Sequence, residues 1–300
     1  MAGLKTTDLF KQELSHQDYL RHISEEERKQ LQRLLLDMFQ DIKSVCQKRN
    51  IPYMAGGGTV LGAVRHKGYI PWDDDLDLNV ERAYVKDLLD GIQEDFGDKY
   101  YILEPMTSEG YLSSFIQIQR RGTIMREYQW QKPEECGVKI DIFVIENTYD
   151  EKWKRTIHRV GVDGGLLMLS CYRTLLWHKE FLQLTSNHLR GRMVIRLKML
   201  LGLPYCIAPG HFYRQLQRRM MKCKNSDSKY VVIPSGRGHF GGEVYERAGF
   251  CSTEEVPFED TTIAITRDAD TYLRRLYGDN YMELPPEQDR EEHVLYEFKI

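Results

Sequence analysis

Four aspartates crowd into five positions of a segment that follows a run of three glycines. The aspartates are Asp73, Asp74, Asp75 and Asp77, and the glycines are Gly56–Gly58. On a β-strand alternate residues share a face, so "DLDL" would direct Asp75 and Asp77 to one side and two leucines to the other. At ~5 Å and an effective dielectric constant of ~20, two such carboxylates repel by about 3 kcal/mol. Oxygen ligands of this kind suit Mg²⁺ (or Mn²⁺) bound together with substrate phosphates, so the pattern indicates a metal site.

A third carboxylate is expected on a neighbouring strand, and "KIDIFVI" supplies one. Asp141 lies in an apolar run between Val138 and Ile145, where a charge without a role would be costly. Each part has a simpler interpretation, because aspartate runs often form solvated turns and a lone buried aspartate is often a hydrogen-bonded core residue. The combination of a glycine turn, a D-x-D strand and a later acidic strand is more specific than any one part.

The glycines follow an expected strand and precede an expected helix. Backbone N–H groups of Gly57 and Gly58 at such a turn can approach a phosphate, and the helix N-terminus favours an anion. Thr59 could add a hydroxyl. The alternative is a plain tight turn. Trp72, which comes just before the acidic run, is either a wall of the same site or a core anchor.

Hydrophobic periodicity predicts helices alternating with strands. Ser24 and Glu27 form a capping-box pattern ahead of apolar residues that recur at helical spacing. Strands are expected at "IPYMA", "DLDLNV" and "GVKIDIFVIE", with helices at "TVLGAVRH" and "ERAYVKDLLDGIQEDFG". This order predicts an α+β fold with a mixed β-sheet flanked by helices.

Composition excludes several classes of protein. The chain has 300 residues, 41% of them hydrophobic, and a net charge of −3, so nothing global indicates a nucleic-acid partner. None of the six cysteines forms a C-x-x-C pair, which argues against a zinc site of that type. The polar N-terminal sequence has no signal-peptide pattern, and no apolar run approaches ~20 residues, so we expect a cytoplasmic protein without a spanning helix.

A basic segment interrupts an otherwise acidic chain. Residues 151–224 contain 15 Lys and Arg against 3 Asp and Glu, interleaved with apolar runs. This segment either contacts an anionic membrane surface or anionic glycan through cations such as those from Arg190 to Lys198, or is a helical subdomain with solvated charges. The predicted regions are an N-terminal helical segment (1–50), a core (51–150), a basic helical subdomain or insertion (151–228) and a C-terminal part that completes the fold (229–300).

The acidic motif resembles the signature of the LicD family. "GGGTVLGAVRHKGYIPWDDDLDL" carries the G-T-x-L-G-A-x-R-H-x-G-x-I-P-W-D-D-D-x-D pattern, and "VKIDIFVIE" resembles the second acidic strand of that family. "YLRRLYGDNYMELPP", followed by Arg290 and His293, is similar to its C-terminal signature. The family is similar to phosphocholine transferases that decorate teichoic acids and surface glycans, and it includes relatives of the fukutin-type ribitol-phosphate transferases.

The resemblance implies a nucleotidyltransferase-like fold and a metal-dependent transfer of a phospho-head group from a CDP-linked donor, such as CDP-choline. The acceptor would be a sugar hydroxyl of a glycan (lipopolysaccharide or capsule) or of a teichoic-acid precursor, and CMP would leave. Asp75, Asp77 and Asp141 would be the catalytic and metal-binding carboxylates, one of which accepts the hydroxyl proton. The residues implied at the substrates are Gly57, Gly58, Thr59, Arg65, His66, Trp72, Asp73, Asp74, Arg290 and His293.

The chain departs from the family pattern at one strand, where Gln117 stands in place of a lysine found in many members. The cysteine-bound zinc insertion of the fukutin-type relatives is not found. Two other interpretations stay open: a nucleotidyltransferase that transfers the nucleotide itself and releases pyrophosphate, and a non-catalytic metal-binding scaffold. The head group stays open among choline, ethanolamine, ribitol and glycerol.

Overall fold

A computed structural model describes residues 21–105, 107–108, 110–127, 131, 136–185, 189–286, 290 and 294–300. The strands are β1 (Arg21–His22), β2 (Met54–Ala55), β3 (Asp77–Glu81), β4 (Tyr100–Leu103), β5 (Ile116–Arg120), β6 (Ile124–Arg126), β7 (Lys139–Asn147), β8 (Tyr230–Val232), β9 (Val244–Glu246), β10 (Thr253–Phe258), β11 (Thr261–Thr266), β12 (Val294–Leu295) and β13 (Glu297–Lys299). The helices are α1 (Glu25–Arg49), α2 (Gly57–His66), α3 (Arg82–Phe96), α4 (Lys152–Leu176), α5 (His178–Leu184), α6 (Leu189–Gly202), α7 (Pro209–Met220), α8 (His239–Gly242), α9 (Arg247–Phe250) and α10 (Ala269–Tyr277), with a 3-10 turn at Leu203–Cys206.

One mixed sheet carries both acidic strands. Its strand order is β2-β3-β7-β5-β4, with β8 paired to β7 and β9 paired to β8. β3 and β7 are parallel, whereas the neighbouring pairs are antiparallel. The two-stranded pairs β1–β12, β10–β11 and β6–β13 lie outside this sheet. The predicted mixed sheet flanked by helices is confirmed, and its assignment as nucleotidyltransferase-like stays a prediction.

Helix α1 begins at the predicted capping box. The Ser24 hydroxyl accepts a hydrogen bond from the Glu27 N–H (3.2 Å), and the Glu27 carboxylate accepts one from the Ser24 N–H (3.0 Å). Asn50, in the left-handed conformation, ends the helix. The apolar stripe of α1 is buried in the main core, which also holds residues of α3 and the mixed sheet.

Strand β3 begins two residues later than predicted, at Asp77. Asp75 lies in the extended segment before it, although the Leu76 carbonyl already accepts a hydrogen bond from the Asp141 N–H (3.2 Å). The predicted alternation of faces is confirmed, since Leu76 and Leu78 are fully buried while Asp75 and Asp77 are partly exposed.

The basic segment is mostly helical, from α4 to α7, as predicted. A second, smaller apolar cluster joins α4 and α7 to Val232 and Phe240. The division of the chain into four regions, including a separate basic insertion, stays a prediction. In the part of the chain that the structure describes, no single helix has the length and hydropathy to cross a bilayer. The pair Leu189–Cys206 and Pro209–Met220, bent by 96°, meets those criteria only in combination.

Lys198 does not belong to the exposed basic surface that the sequence predicted. Its side chain is buried, and its ammonium group donates to the Ser170 hydroxyl (3.1 Å). Burial lowers the pKa of Lys198. The position faces inward because α6 packs against α4 through this side.

Glycine at position 62 allows the end of α2 to lie against the turn that leads to the aspartates. A Cβ atom there would stand 2.5 Å from the Gly68 carbonyl oxygen. We therefore expect Gly62→Ala to lower the free energy of unfolding by about 1–3 kcal/mol, measured by urea denaturation. Gly164→Ala is the matched control, since nothing lies within 4 Å of its Cβ. In the middle of α4 this change should stabilise by up to ~1 kcal/mol, and equal effects at both positions would contradict the packing argument.

Candidate active site

The glycine turn holds the backbone of β3 in place. The Gly56 N–H donates to the Asp77 carbonyl oxygen (2.8 Å), and the Thr59 hydroxyl accepts from the Asp77 N–H (2.9 Å). The Gly57 N–H donates to the Tyr272 hydroxyl (2.8 Å) and so ties α2 to α10. Thr59 thus positions Asp77, and the Gly57 N–H is already paired with a protein group rather than aimed at a ligand.

Two glycines let the start of α2 lie against carboxylates. Gly57 has φ +44°, and a Cβ there would stand 3.1 Å from Asp77 Oδ2. At Gly58 a Cβ would stand 3.0 Å from Asp73 Oδ2. The first turn of α2 has N–H groups without partners inside the helix, so this end of the helix favours an anion beside the carboxylates.

The parallel pairing of β3 and β7 brings the two acidic strands together. Asp77 is in register with Asp141, and Asp141 is also in register with Gln117 of β5. The Gln117 amide donates to Asp141 Oδ1 (3.0 Å), and the Gln119 amide donates to the Gln117 side-chain oxygen (3.0 Å). Gln117, which stands where many LicD-type sequences have lysine, therefore supplies a neutral donor to the carboxylate.

Burial raises the pKa of Asp141 to about 7. The positive charge of Lys139 and the hydrogen bond from Gln117 act in the opposite direction, while the charges of Glu127 and Asp75 raise it further. Lys139 forms an ion pair with Glu127, which limits the compensation that it offers. Asp141 is thus a carboxyl group in an environment where its negative charge is unfavourable without an added cation.

Two cavities meet at the acidic cluster. The smaller has a volume of about 650 Å³, and the larger has a volume of about 1540 Å³. Asp75 and Phe115 line both. Asp77 faces the smaller cavity and Asp141 the larger, so the carboxylates stand at the boundary between two spaces that could hold two substrates.

The residues predicted from the sequence divide between these cavities. The smaller one is lined by Gly57, Gly58, Arg65, Trp72, Asp73, Asp75, Asp77 and Arg290, and the larger one by Asp74, Asp75 and Asp141. Thr59 and His66 line neither. His66 packs edge-on against Trp72, and its Nε2 accepts from Arg65 Nε (2.9 Å). His293 lies outside the described residues.

Trp72 is both a wall and an anchor. It is partly buried against the main core and also lines the smaller cavity. The Arg290 guanidinium lies 4.4 Å from the centre of its ring, and the Arg65 guanidinium lies 6.0 Å from it. Two cations therefore lie beside the cavity, next to one aromatic ring.

Several residues of the smaller cavity were not predicted. The loop "IPSGRGHFGGE" contributes Ser235, Arg237, His239 and Glu243, and α10 contributes Tyr272 and Tyr277. The density of glycines in this loop was a signal that could have identified it. Glu243 is 1% exposed, and burial raises its pKa to about 7 against the hydrogen bond from the Gly238 N–H (2.7 Å) and the charge of Arg275.

The basic segment also reaches the site. Arg173, from the last turn of α4, and Trp177 line the larger cavity, with the guanidinium 5.5 Å from the centre of the indole ring. Periodicity alone could not distinguish Arg173 from the other cations of this segment.

The carboxylates fit a divalent cation in their chemistry but do not form a complete cage. In the described part of the chain, no group of three or more His, Cys, Asp or Glu side chains is arranged to hold a metal ion. Mg²⁺ commonly takes one or two carboxylates and completes its shell with water and substrate phosphates. Asp75 and Asp77, which line the same cavity as the α2 N-terminus, fit that mode of binding.

Comparison with known proteins agrees with the motifs. Residues 50–162 match the family model of the LicD/FKTN/FKRP nucleotidyltransferase domain. These residues are similar to that domain. The chain is 25% identical over 269 residues to the lipopolysaccharide cholinephosphotransferase LicD of Haemophilus influenzae, an alignment that covers 89% of this chain and 94% of the relative. It is also 48% identical over 46 residues to uncharacterised proteins of Rickettsia prowazekii and Rickettsia typhi. These alignments cover 15% of this chain, 17% of the R. prowazekii protein and 15% of the R. typhi protein.

The stretch that matches the family model ends within α4, yet the smaller cavity is completed by residues well beyond it. Ser235, Glu243 and Tyr272 all line the cavity from the C-terminal part of the chain. The matched domain therefore supplies the carboxylates, and the rest of the chain supplies the opposite wall.

The raised pKa of Glu243, which lines the smaller cavity, predicts how the stability of the protein depends on pH. A carboxyl group whose pKa is raised on folding stays protonated in the folded protein while the unfolded chain ionises, so stability falls as pH rises from about 4.5 to about 7. A shift of this size corresponds to roughly 3 kcal/mol. We expect Glu243→Gln, which keeps the acceptor for the Gly238 N–H, to be more stable than wild type at pH 8 and nearly equal at pH 4.5. Urea denaturation at both pH values measures this, and a constant difference would show that Glu243 is not held protonated.

Proposed function

We propose that the protein transfers phosphocholine from CDP-choline to a sugar hydroxyl of lipopolysaccharide or a related surface glycan. Its relative from H. influenzae is a lipopolysaccharide cholinephosphotransferase and aligns over 94% of its own length. The structural observation that carries the proposal is Asp75, which borders both cavities, with Asp77 facing one and Asp141 facing the other. A group transfer between two substrates needs such a boundary.

The smaller cavity suits the donor. Its volume of about 650 Å³ is in the range of pockets for nucleotide-sized ligands. Anionic phosphates would lie against the α2 N-terminus at Gly58, within reach of Arg237 and Arg290 on the other walls. In this proposal the diphosphate would lie beside Asp75 and Asp77, where its charge would require neutralisation.

Asp75 and Asp77 would hold Mg²⁺ or Mn²⁺, with Asp141 beside them. When bound, such an ion neutralises the diphosphate and the charge that develops on the leaving phosphate. Thr59 fixes the Asp77 backbone, and Gln117 orients the Asp141 carboxylate, so part of the site is ordered before substrates bind.

The larger cavity suits the acceptor. The sugar hydroxyl oxygen forms a bond to the phosphorus that bears choline, the bond from that phosphorus to the CMP oxygen breaks, and CMP leaves. The hydroxyl proton passes to a carboxylate, and Asp141 is the proposed base because it faces the acceptor side. Arg173 and Trp177 give this cavity a cation and an aromatic surface on which a sugar ring can stack.

The products of the reaction test the proposal. The protein is incubated with Mg²⁺, an acceptor glycan and, in turn, CDP-choline, CDP-ethanolamine, CDP-ribitol and CDP-glycerol. We expect CMP release and labelling of the glycan to be fastest with CDP-choline. Pyrophosphate release from a nucleoside triphosphate would support the nucleotidyltransferase alternative, and no turnover with any donor would support the scaffold alternative. The cytoplasmic location and a teichoic-acid acceptor stay predictions.

The carboxylates should be essential for turnover but not for folding. We expect Asp77→Asn and Asp141→Asn each to reduce kcat/KM by about a thousandfold or more, because each removes a charge at the reacting centre. The thermal midpoint should stay near that of wild type, since asparagine keeps the shape and the acceptor for Gln117. Asp98→Asn, at an exposed position that lines neither cavity, is the control and should keep full activity. Activity within tenfold of wild type in either site variant would refute the assignment.

The stacking of Arg290 on Trp72 predicts how loss of the indole ring affects donor binding. Because its ring holds Arg290 beside the cavity, Trp72→Ala should raise KM about tenfold for every CDP donor, whatever the head group. Trp72→Phe should retain most of the affinity. Steady-state kinetics with CDP-choline and CDP-glycerol measure the effect. A change in the ratio of the two KM values would instead mean that Trp72 contacts the head group.

A further inference from the structure

Exposed apolar side chains are concentrated in one part of the molecule. Among the described residues, most large hydrophobic side chains with high exposure lie between Trp153 and Ile207, and those outside this range are Met282, Leu284 and Ile300. The most continuous set, here called the α6 face, consists of Leu189, Met193, Leu197 and Leu200 on α6, continued by Leu203 and Ile207. None of the cavity walls described above includes these residues.

Helical geometry makes the α6 face a single stripe. Its members on α6 are spaced by four, four and three residues, which aligns them along one side of the helix. The opposite side of α6 is buried through Gly191, Ile195, Lys198 and Gly202. Leu189, Met193 and Leu200 are 76%, 61% and 63% exposed, so the side of this helix that faces solvent is apolar.

Charge distinguishes between possible occupants of the α6 face. Arg190, Arg192 and Arg196 flank the stripe, and residues 181–226 contain nine Lys and Arg with no Asp or Glu. A second copy of the chain docked through a twofold axis would bring arginines against arginines, which is unfavourable. A surface of anionic lipid offers apolar chains to the leucines and phosphates to the arginines, so it complements both features.

We propose that the α6 face docks the protein on an anionic lipid membrane. Leu189, Met193, Leu197 and Leu200 enter the boundary between head groups and acyl chains, and the flanking arginines pair with lipid phosphates. The protein lies on the membrane and does not span it. This inference does not depend on the proposed reaction, because binding is measured without donor or acceptor.

Co-sedimentation with vesicles tests the docking. Wild type should bind vesicles of phosphatidylglycerol and phosphatidylcholine and bind vesicles of phosphatidylcholine alone far more weakly. Binding should weaken at 1 M salt, where the screening length falls to about 3 Å. The triple variant Met193→Gln, Leu197→Gln, Leu200→Gln should bind at least about tenfold more weakly, since burial of even one large apolar side chain contributes about that factor.

Matched variants separate docking from general surface effects. Met282→Gln with Ile300→Gln removes two exposed apolar side chains elsewhere and should leave vesicle binding unchanged. Arg190→Glu with Arg196→Glu should abolish the preference for anionic vesicles, whereas Arg33→Glu with Lys86→Glu, at exposed cations outside the basic segment, should not. Circular dichroism spectra and thermal midpoints should be the same in all of these variants.

A gain-of-function variant provides an independent readout. The Met193→Trp variant should bind anionic vesicles more tightly. On binding, the emission of the added tryptophan, measured as the difference from wild type, should shift to shorter wavelength as its indole leaves water. The proposal is wrong if wild type ignores anionic vesicles at low salt, or if the triple variant binds as well as wild type. It is also wrong if wild type is a dimer that the triple variant converts to a monomer while vesicles have no effect, since the α6 face would then bind a second copy.

Discussion

The structure depends on a parallel pairing that brings two carboxylates together. Strands lie about 4.8 Å apart, and two charges at that distance repel by about 3 kcal/mol at an effective dielectric constant of ~20. Asp77 and Asp141 stay close together despite this repulsion, because the pairing of β3 with β7 is fixed by buried leucines, isoleucines and valines on the other face of the sheet. Shifting the register by one residue would turn the carboxylates into the core, so packing and site geometry are set by the same constraint.

The distant C-terminal part of the chain holds this arrangement in place. Tyr272 accepts from the Gly57 N–H, and Arg65 of α2 donates to the carbonyl oxygens of Tyr281 (2.8 Å) and Glu283 (3.1 Å). On the other side, Arg247 forms an ion pair with Glu81 at the end of β3. Residues 51–150 alone therefore lack the contacts that close the smaller cavity. The candidate active site is therefore built by the whole chain rather than by the matched residues alone.

Local patterns predicted the elements well because each pattern has a local cause. The alternation in "DLDL", the apolar run around Asp141 and the capping box at Ser24 all depend on neighbours in sequence. The features that the sequence did not reveal depend on distant residues. Lys198 is buried because α4 covers it, and the hydroxyl of Thr59 is used by Asp77 of another element. Glu243 has a raised pKa only because the folded chain removes it from water. Composition gives no signal for such effects, although glycine density in "SGRGHFGG" did mark the loop.

The long helix α4 connects the two surfaces on which the proposals rest. Its last turn carries Arg173 into the wall of the larger cavity, and its side packs closely on α6, where a Cβ at Gly202 would stand 2.6 Å from the Cys171 carbonyl oxygen. Docking of α6 on a lipid surface would therefore hold the acceptor cavity at a fixed height above that surface. For an acceptor anchored in the same membrane, the search for the site becomes two-dimensional, and the effective concentration of acceptor rises without any new contact to the sugar.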